Sequence, residues 1–111
     1  RQIDPQKAVD YMLTVGPQYA MHKSTRIYLE EFRKSKKALL MKQAGVDGVK
    51  TSAAQEVEAY ANPEYQELLV ALRDAVEAEE TYRWKLIAAQ ARVEVWRTTE
   101  ASARNIDRTT R

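Results

Sequence analysis

PEYQELLVALRDAVEAEETYRWKLIAAQARVEVWRTTEASARNID, residues 63–107, decides the fold. After Pro63 the stretch holds no Gly and no further Pro, so nothing in it stops a helix. Asn62 ahead of it can cap the free amides, Pro63 suits the first helical position, and Glu64 places an acid in the first turn. A helix of about 45 residues is roughly 65 Å long at about 1.5 Å per residue. A chain of 111 residues cannot bury that length around one compact core. The helix must therefore lie along another long helix, from the same chain or from a second copy. Its seam agrees. Tyr65, Leu68, Leu72, Ala75, Glu79, Tyr82, Leu86, Ala89, Val93, Trp96, Glu100 and Ala103 follow alternating steps of four and three, as in a left-handed coiled coil. Glu79 and Glu100 violate the apolar pattern. A polar residue in such a place sets register or marks where the partner helix has ended. Small Ala75 and Ala89 permit close approach, and Trp84, off the seam, is expected to face a second surface.

Outward from this helix the chain reads as helical almost throughout. Asp4-Pro5 opens a first helix, predicted over 5–15, with Ala8, Val9, Met12 and Leu13 at helical spacing. Gly16-Pro17 predicts a break or sharp kink. A second helix is predicted over 17–44, with Met21, Tyr28, Phe32 and Leu39 on its inner face, Ile27 and Leu40 widening that face, and Gly45 as its C-terminal cap. The loop GVDGVKTS at 45–52 leads to a short helix over 53–61, with Ser52 at its start. The last helix is 63–107. The whole chain, 1–111, is one all-α domain: a long antiparallel helical hairpin, coiled-coil-like, whose kinked N-terminal helix folds on the distal end of the long helix. So thin a hairpin buries little area per residue. Apolar residues on more than one face predict a homodimer that forms a helical bundle.

Charge is distributed in blocks. Residues 21–50 carry eight Lys/Arg against three Asp/Glu, residues 53–80 carry one against eight, and residues 81–111 carry seven against three. In an antiparallel hairpin the first basic block faces the acidic one and favours that register. The last basic block has no such counterpart. The net charge of +2 selects neither nucleic acid nor membrane by bulk electrostatics. The absence of cysteine excludes disulfides and Cys-based zinc sites and fits a reducing compartment. No apolar run approaches the roughly 18 residues of a membrane helix, and no secretory leader is read, because Asp10 and Thr14 interrupt Ala8–Val15. A cytoplasmic protein is expected, with no membrane partner.

No motif predicts an enzyme, a metal, a cofactor or a small-molecule substrate. Glu64 with Glu67, and Glu77 with Glu80, sit one turn apart and could share a cation; solvated faces paired with lysines on the neighbouring helix explain them better. The Glu-Glu-x-x-Glu stretch of helical nucleotide pyrophosphohydrolases is not met, since Lys34 follows Glu30-Glu31. His22 has no orienting acid nearby in sequence for general-base work. There is no Gly-rich phosphate loop and no nucleophile elbow. Two basic features are candidates for gripping phosphate or a partner. The first is the run holding Arg33, Lys34, Lys36 and Lys37. The second is the arginine series Arg92, Arg97, Arg104, Arg108 and Arg111, most of it on one helical stripe. Tyr82, Trp84, Leu86, Val93 and Trp96 are candidate interface anchors.

Four segments taken in order carry a resemblance: DPQKAVDYML at 4–13, YLEEFRKSKKALLMKQ at 28–43, AYANPEYQELLVALRDAVEAEE at 59–80 and YRWKLIAAQARVEVWRTTEASARNIDR at 82–108. Together they resemble a group of small all-helical proteins encoded by tailed bacteriophages and prophages. The resemblance covers most of the chain. Its most specific part is the closing segment, with Ala-Ala-Gln-Ala-Arg and Val-Trp-Arg, and its departure is the loop at 45–52. It implies an accessory role in phage DNA replication or recombination, exercised in the bacterial host's cytoplasm by binding DNA or a protein of that machinery. The alternative is a protein-interaction module, an inhibitor or adaptor directed at a host protein. The resemblance carries over no catalytic residue.

Overall fold

The structure is a computed structural model that describes residues 3–110; Arg111, the last of the arginine series, lies outside them. Three helices and no strand are formed by the described residues: α1 (Pro5–Val46), α2 (Ser52–Ala61) and α3 (Pro63–Thr110). None is long and apolar enough to cross a membrane. The chain divides into two compact units, one combining the residues up to 20 with those from 80 onward, the other spanning 21–79.

Of the break or sharp kink predicted at Gly16-Pro17, the break is absent. The two helices expected over 5–15 and 17–44 are one helix, α1, with Pro17 inside it. Proline normally drives the residue before it out of the helical region, in part by a clash with that residue's Cβ. Gly16 has no Cβ, so that part of the clash does not arise. The strongest breaker in the sequence therefore relieves part of its own strain, and Pro17 is left with the loss of one backbone donor and the crowding of its ring against the preceding turn.

The caps differ from expectation by a few residues. α1 closes on Gly48 and not on Gly45. Gly48 adopts φ 104°, the Val49 amide donates to the Ala44 carbonyl at 2.9 Å, and the Gly48 amide donates to Gly45 at 3.1 Å. These are the two bonds of a Schellman cap. Gly45 serves close approach instead: a Cβ there would lie 3.0 Å from Gln55 Nε2, and that amide donates to the Val49 carbonyl at 2.8 Å. Thr51, one residue ahead of the expected Ser52, caps α2 by accepting from the Ala54 amide at 3.1 Å. α3 starts as read, with the Glu64 amide donating to Asn62 Oδ1 at 2.8 Å.

In the unit spanning 21–79, α1 and α3 run antiparallel: Arg26 pairs with Glu79 while Lys36 reaches Glu64. The buried cluster is Leu40, Ala59 and Tyr65, one residue from each helix, with Met41 and Leu69 against it. The inward stripe of α1 is not the predicted one. Met21, Ile27, Tyr28 and Leu39 are exposed, Tyr28 by 62%, and of that predicted face only Phe32 and Leu40 turn in. His22, Arg26, Leu29, Arg33 and Lys36 are half-buried instead. Two of them, Arg26 and Lys36, meet acids of α3. The basic block thus meets the acidic block through its own seam positions and not only along its flanks.

In the other unit, Ala8 and Val15 of α1 and Ala89 of α3 are buried, while Met12, Tyr19, Tyr82, Leu86, Val93 and Trp96 are half-buried. The seam read for α3 is thus its covered stripe in each unit. Both violations are accounted for. Glu79 is buried and paired with Arg26, whereas Glu100 falls in 97–110, where every residue is exposed.

Candidate binding surfaces

The run at 33–37 is largely neutralised within its own unit. Lys36 Nζ donates to Glu64 at 2.7 Å, Lys37 pairs with Glu56 at 2.6 Å, and Lys34 pairs with Glu31 one turn back at 3.2 Å. Glu56 first, and then Tyr60, raise the Lys37 pKa well above the ordinary lysine value; its ammonium lies 4.7 Å from the Tyr60 ring centre. Tyr60 in turn meets Tyr65 edge to face at 5.3 Å. Arg33 differs from its neighbours: it is half-buried and makes no ion pair among the described residues. It lines a shallow concavity of about 620 Å³ with Lys37, Met41, Tyr60 and Tyr65.

The same unit sets a charged pair into the seam of α3. Arg26 Nε donates to Glu79 Oε1, Nη2 donates to Oε2 at 3.1 Å, and Nη1 donates to Glu30 at 2.6 Å. These bonds, those to Glu79 above all, raise the arginine pKa further and keep the guanidinium charged. A fork held on both arms fixes one register of α1 against α3.

The arginine series behaves differently. Arg97 bonds Glu94 at 3.2 Å. Arg104 and Arg108 have no carboxylate partner among the described residues, and they stand on a stretch of α3 exposed all round. Arg92 is not isolated. It lines a groove of about 530 Å³ with Lys7 and Tyr11 of α1 and Lys85 of α3. The floor is alanine: Ala8 and Ala89 are buried and Ala88 lies beside them. Asp4 also lines the groove, but its Oδ1 accepts from the Gln6 amide at 2.9 Å and from the Lys7 amide at 3.3 Å, capping α1. None of Lys7, Lys85 and Arg92 forms an ion pair among the described residues; Lys85 Nζ rests 4.7 Å from the Tyr82 ring centre. Lys7, Tyr11 and Lys85 were not singled out in the sequence. The signal that could have found them is the small-residue set Ala8, Ala88 and Ala89, which lets two helices come close and leaves long side chains to form a rim.

Among the anchors read from the sequence, Trp84 is 58% exposed, with the Arg83 guanidinium 5.1 Å from its ring. Tyr82, Leu86, Val93 and Trp96 are half-buried on the stripe that holds Ala89. Among the described residues no group of three or more His, Asp or Glu is placed to hold a metal ion; Glu64 is committed to Lys36, and His22 lies half-buried on the inward stripe of α1. Compared with known protein families, curated proteins and solved structures, the chain matches none.

Proposed function

We propose that this chain is a non-enzymatic phage accessory protein that acts in DNA replication or recombination by binding DNA, and that it works as a homodimer in the host cytoplasm. The phage setting rests on the resemblance of the four segments. The DNA reading rests on one observation: Lys7, Lys85 and Arg92 line a single groove whose one carboxylate among the described residues, Asp4, makes no ion pair with them, and Arg104 and Arg108 extend the series unpaired among the described residues along α3. Cations already paired within the fold gain little from a phosphate, whereas unpaired ones release the counterions of the phosphates they meet. The test is an anisotropy titration of labelled DNA over a range of salt, with wild type and Arg92→Ala/Arg104→Ala/Arg108→Ala. The variant should bind more weakly, and each lost contact should flatten the salt slope by about 0.7–0.9. Identical titrations would end the DNA reading.

A second reading, an inhibitor or adaptor directed at a host protein, is favoured by large apolar side chains left exposed. Leu13 is 71% exposed, Trp84 58%, Ile106 62%. Trp84, with the Arg83 guanidinium beside its ring, brings together the two residue types that most often anchor a protein contact. Capture of a host protein that survives nuclease and high salt, and is lost with Trp84→Ala, would favour this reading over the first.

A further inference from the structure

We infer that the groove between the start of α1 and residues 85–92 of α3 takes one unstacked nucleotide of a single DNA strand, with the phosphate among Lys7, Lys85 and Arg92 and the base against Tyr11. This rests on the DNA-binding reading and narrows it from DNA in general to the single strand. Three features of the groove lead there. Its size, about 530 Å³, lies in the range of pockets that hold ligands of nucleotide dimensions. Its cations are a set: three positive side chains from two helices line it over a floor of alanines, and the one carboxylate of its lining accepts from its own helix's amides. Its aromatic is unoccupied. Tyr11 is 42% exposed and makes no ring contact and no side-chain hydrogen bond among the described residues, unlike Tyr28, Tyr60 and Tyr65, each of which meets another ring.

A cationic track with a free aromatic face is how proteins hold single strands, because every base offers a π-face and every nucleotide a phosphate. A duplex would use only half of this arrangement. Its bases are stacked on one another and give Tyr11 nothing to stack on. A groove between two packed helices, whose axes lie about 8–10 Å apart, is also far narrower than the double helix. The duplex could touch the rim cations from outside and no more. With a duplex, Tyr11 could offer its hydroxyl to a phosphate but not its ring face to a base, so the π-face beside Lys7 on the adjacent turn of α1 favours one strand over two.

The experiment is fluorescence anisotropy at fixed low salt, with a labelled oligothymidylate and with a labelled duplex of the same length, on the full chain. Wild type should bind the single strand at least about tenfold more tightly. Tyr11→Leu keeps apolar bulk without a π-face and should weaken single-strand binding about tenfold, within the roughly 5- to 150-fold range of one stacked base. Tyr11→Phe should bind within twofold of wild type. Circular dichroism should show all three proteins equally helical, as suits an exposed side chain. Equal affinity for the two probes, or a Tyr11→Leu protein that binds the single strand as wild type does, overturns this inference and leaves the broader DNA reading standing. No binding to either probe overturns both.

Discussion

Glu79 sits in an apolar seam because Arg26 sits opposite, also on a covered stripe. The Glu79 side chain is only 9% exposed and that of Arg26 24%, so the pair is largely cut off from water. Removing Glu79 leaves the half-buried Arg26 with Glu30 alone, whereas replacing both members of the pair by apolar groups of like shape need not cost stability. Glu79→Ala should therefore lower the urea midpoint clearly, and Arg26→Met/Glu79→Leu should recover most of the loss; a double variant as unstable as the single one would show that the pair does not act as a unit. Lys37 makes a second prediction, in pH. Its folded pKa is raised above the ordinary 10.5 by Glu56 and Tyr60. The unfolded chain thus loses this proton first, and stability from the pair is full below about pH 10.5 and declines above it. Lys37→Met should lose that alkaline decline relative to wild type, measured as the difference in urea midpoint between pH 9 and pH 11. That Glu79 breaks the seam is legible in the sequence. That Arg26 answers it is not, because nothing local distinguishes Arg26 from the other cations of 23–42.

The elements follow the same division. α3 is legible nearly end to end: a cap, a first-turn proline, a four-three seam and no breaker. α1 is not, for two physical reasons. Its inner stripe carries His22, Arg26, Arg33 and Lys36, so a search for apolar spacing selects the outer stripe of Met21, Tyr28 and Leu39. Its apparent break is bridged because glycine precedes the proline. Pro17 still lacks the amide that an ordinary residue would donate into the helix. Pro17→Ala should restore it and raise stability by about 1–3 kcal/mol, read from urea or thermal unfolding. A destabilised Pro17→Ala protein would mean that the helix needs the proline at this place. Gly48 makes the opposite case. Its φ of 104° is one that an L side chain adopts at a cost, so Gly48→Ala should destabilise by about 1 kcal/mol or more. The groove residues show the same limit of sequence reading. Arg92 stands out as part of a series, but Lys7 and Tyr11 acquire meaning only when helix pairing sets them beside a segment far away in the chain.

For the molecule as a whole, the open question is what covers the apolar residues that the helices leave out. Among the described residues no large side chain is fully buried, and Met21, Ile27 and Tyr28, at 52%, 46% and 62% exposure, share one side of α1. Tyr28 is also stacked on Phe32, with ring centres 5.7 Å apart, so this side presents a fairly stiff apolar surface rather than scattered groups. A second copy can cover it by offering the same surface about a two-fold axis, as most small homo-oligomers do. The expected outcome is a dimer by light scattering at micromolar concentration. Its thermal midpoint should rise with protein concentration, since association stabilises the folded state by mass action. Ile27→Glu/Tyr28→Glu should give a monomer whose midpoint no longer depends on concentration and lies below that of wild type. Salt separates this contact from the proposed DNA contact. An apolar interface survives molar salt, while phosphate binding weakens steeply as salt is raised. A wild-type protein that is monomeric throughout, with a concentration-independent midpoint, would refute the dimer and leave that side of α1 to a different partner.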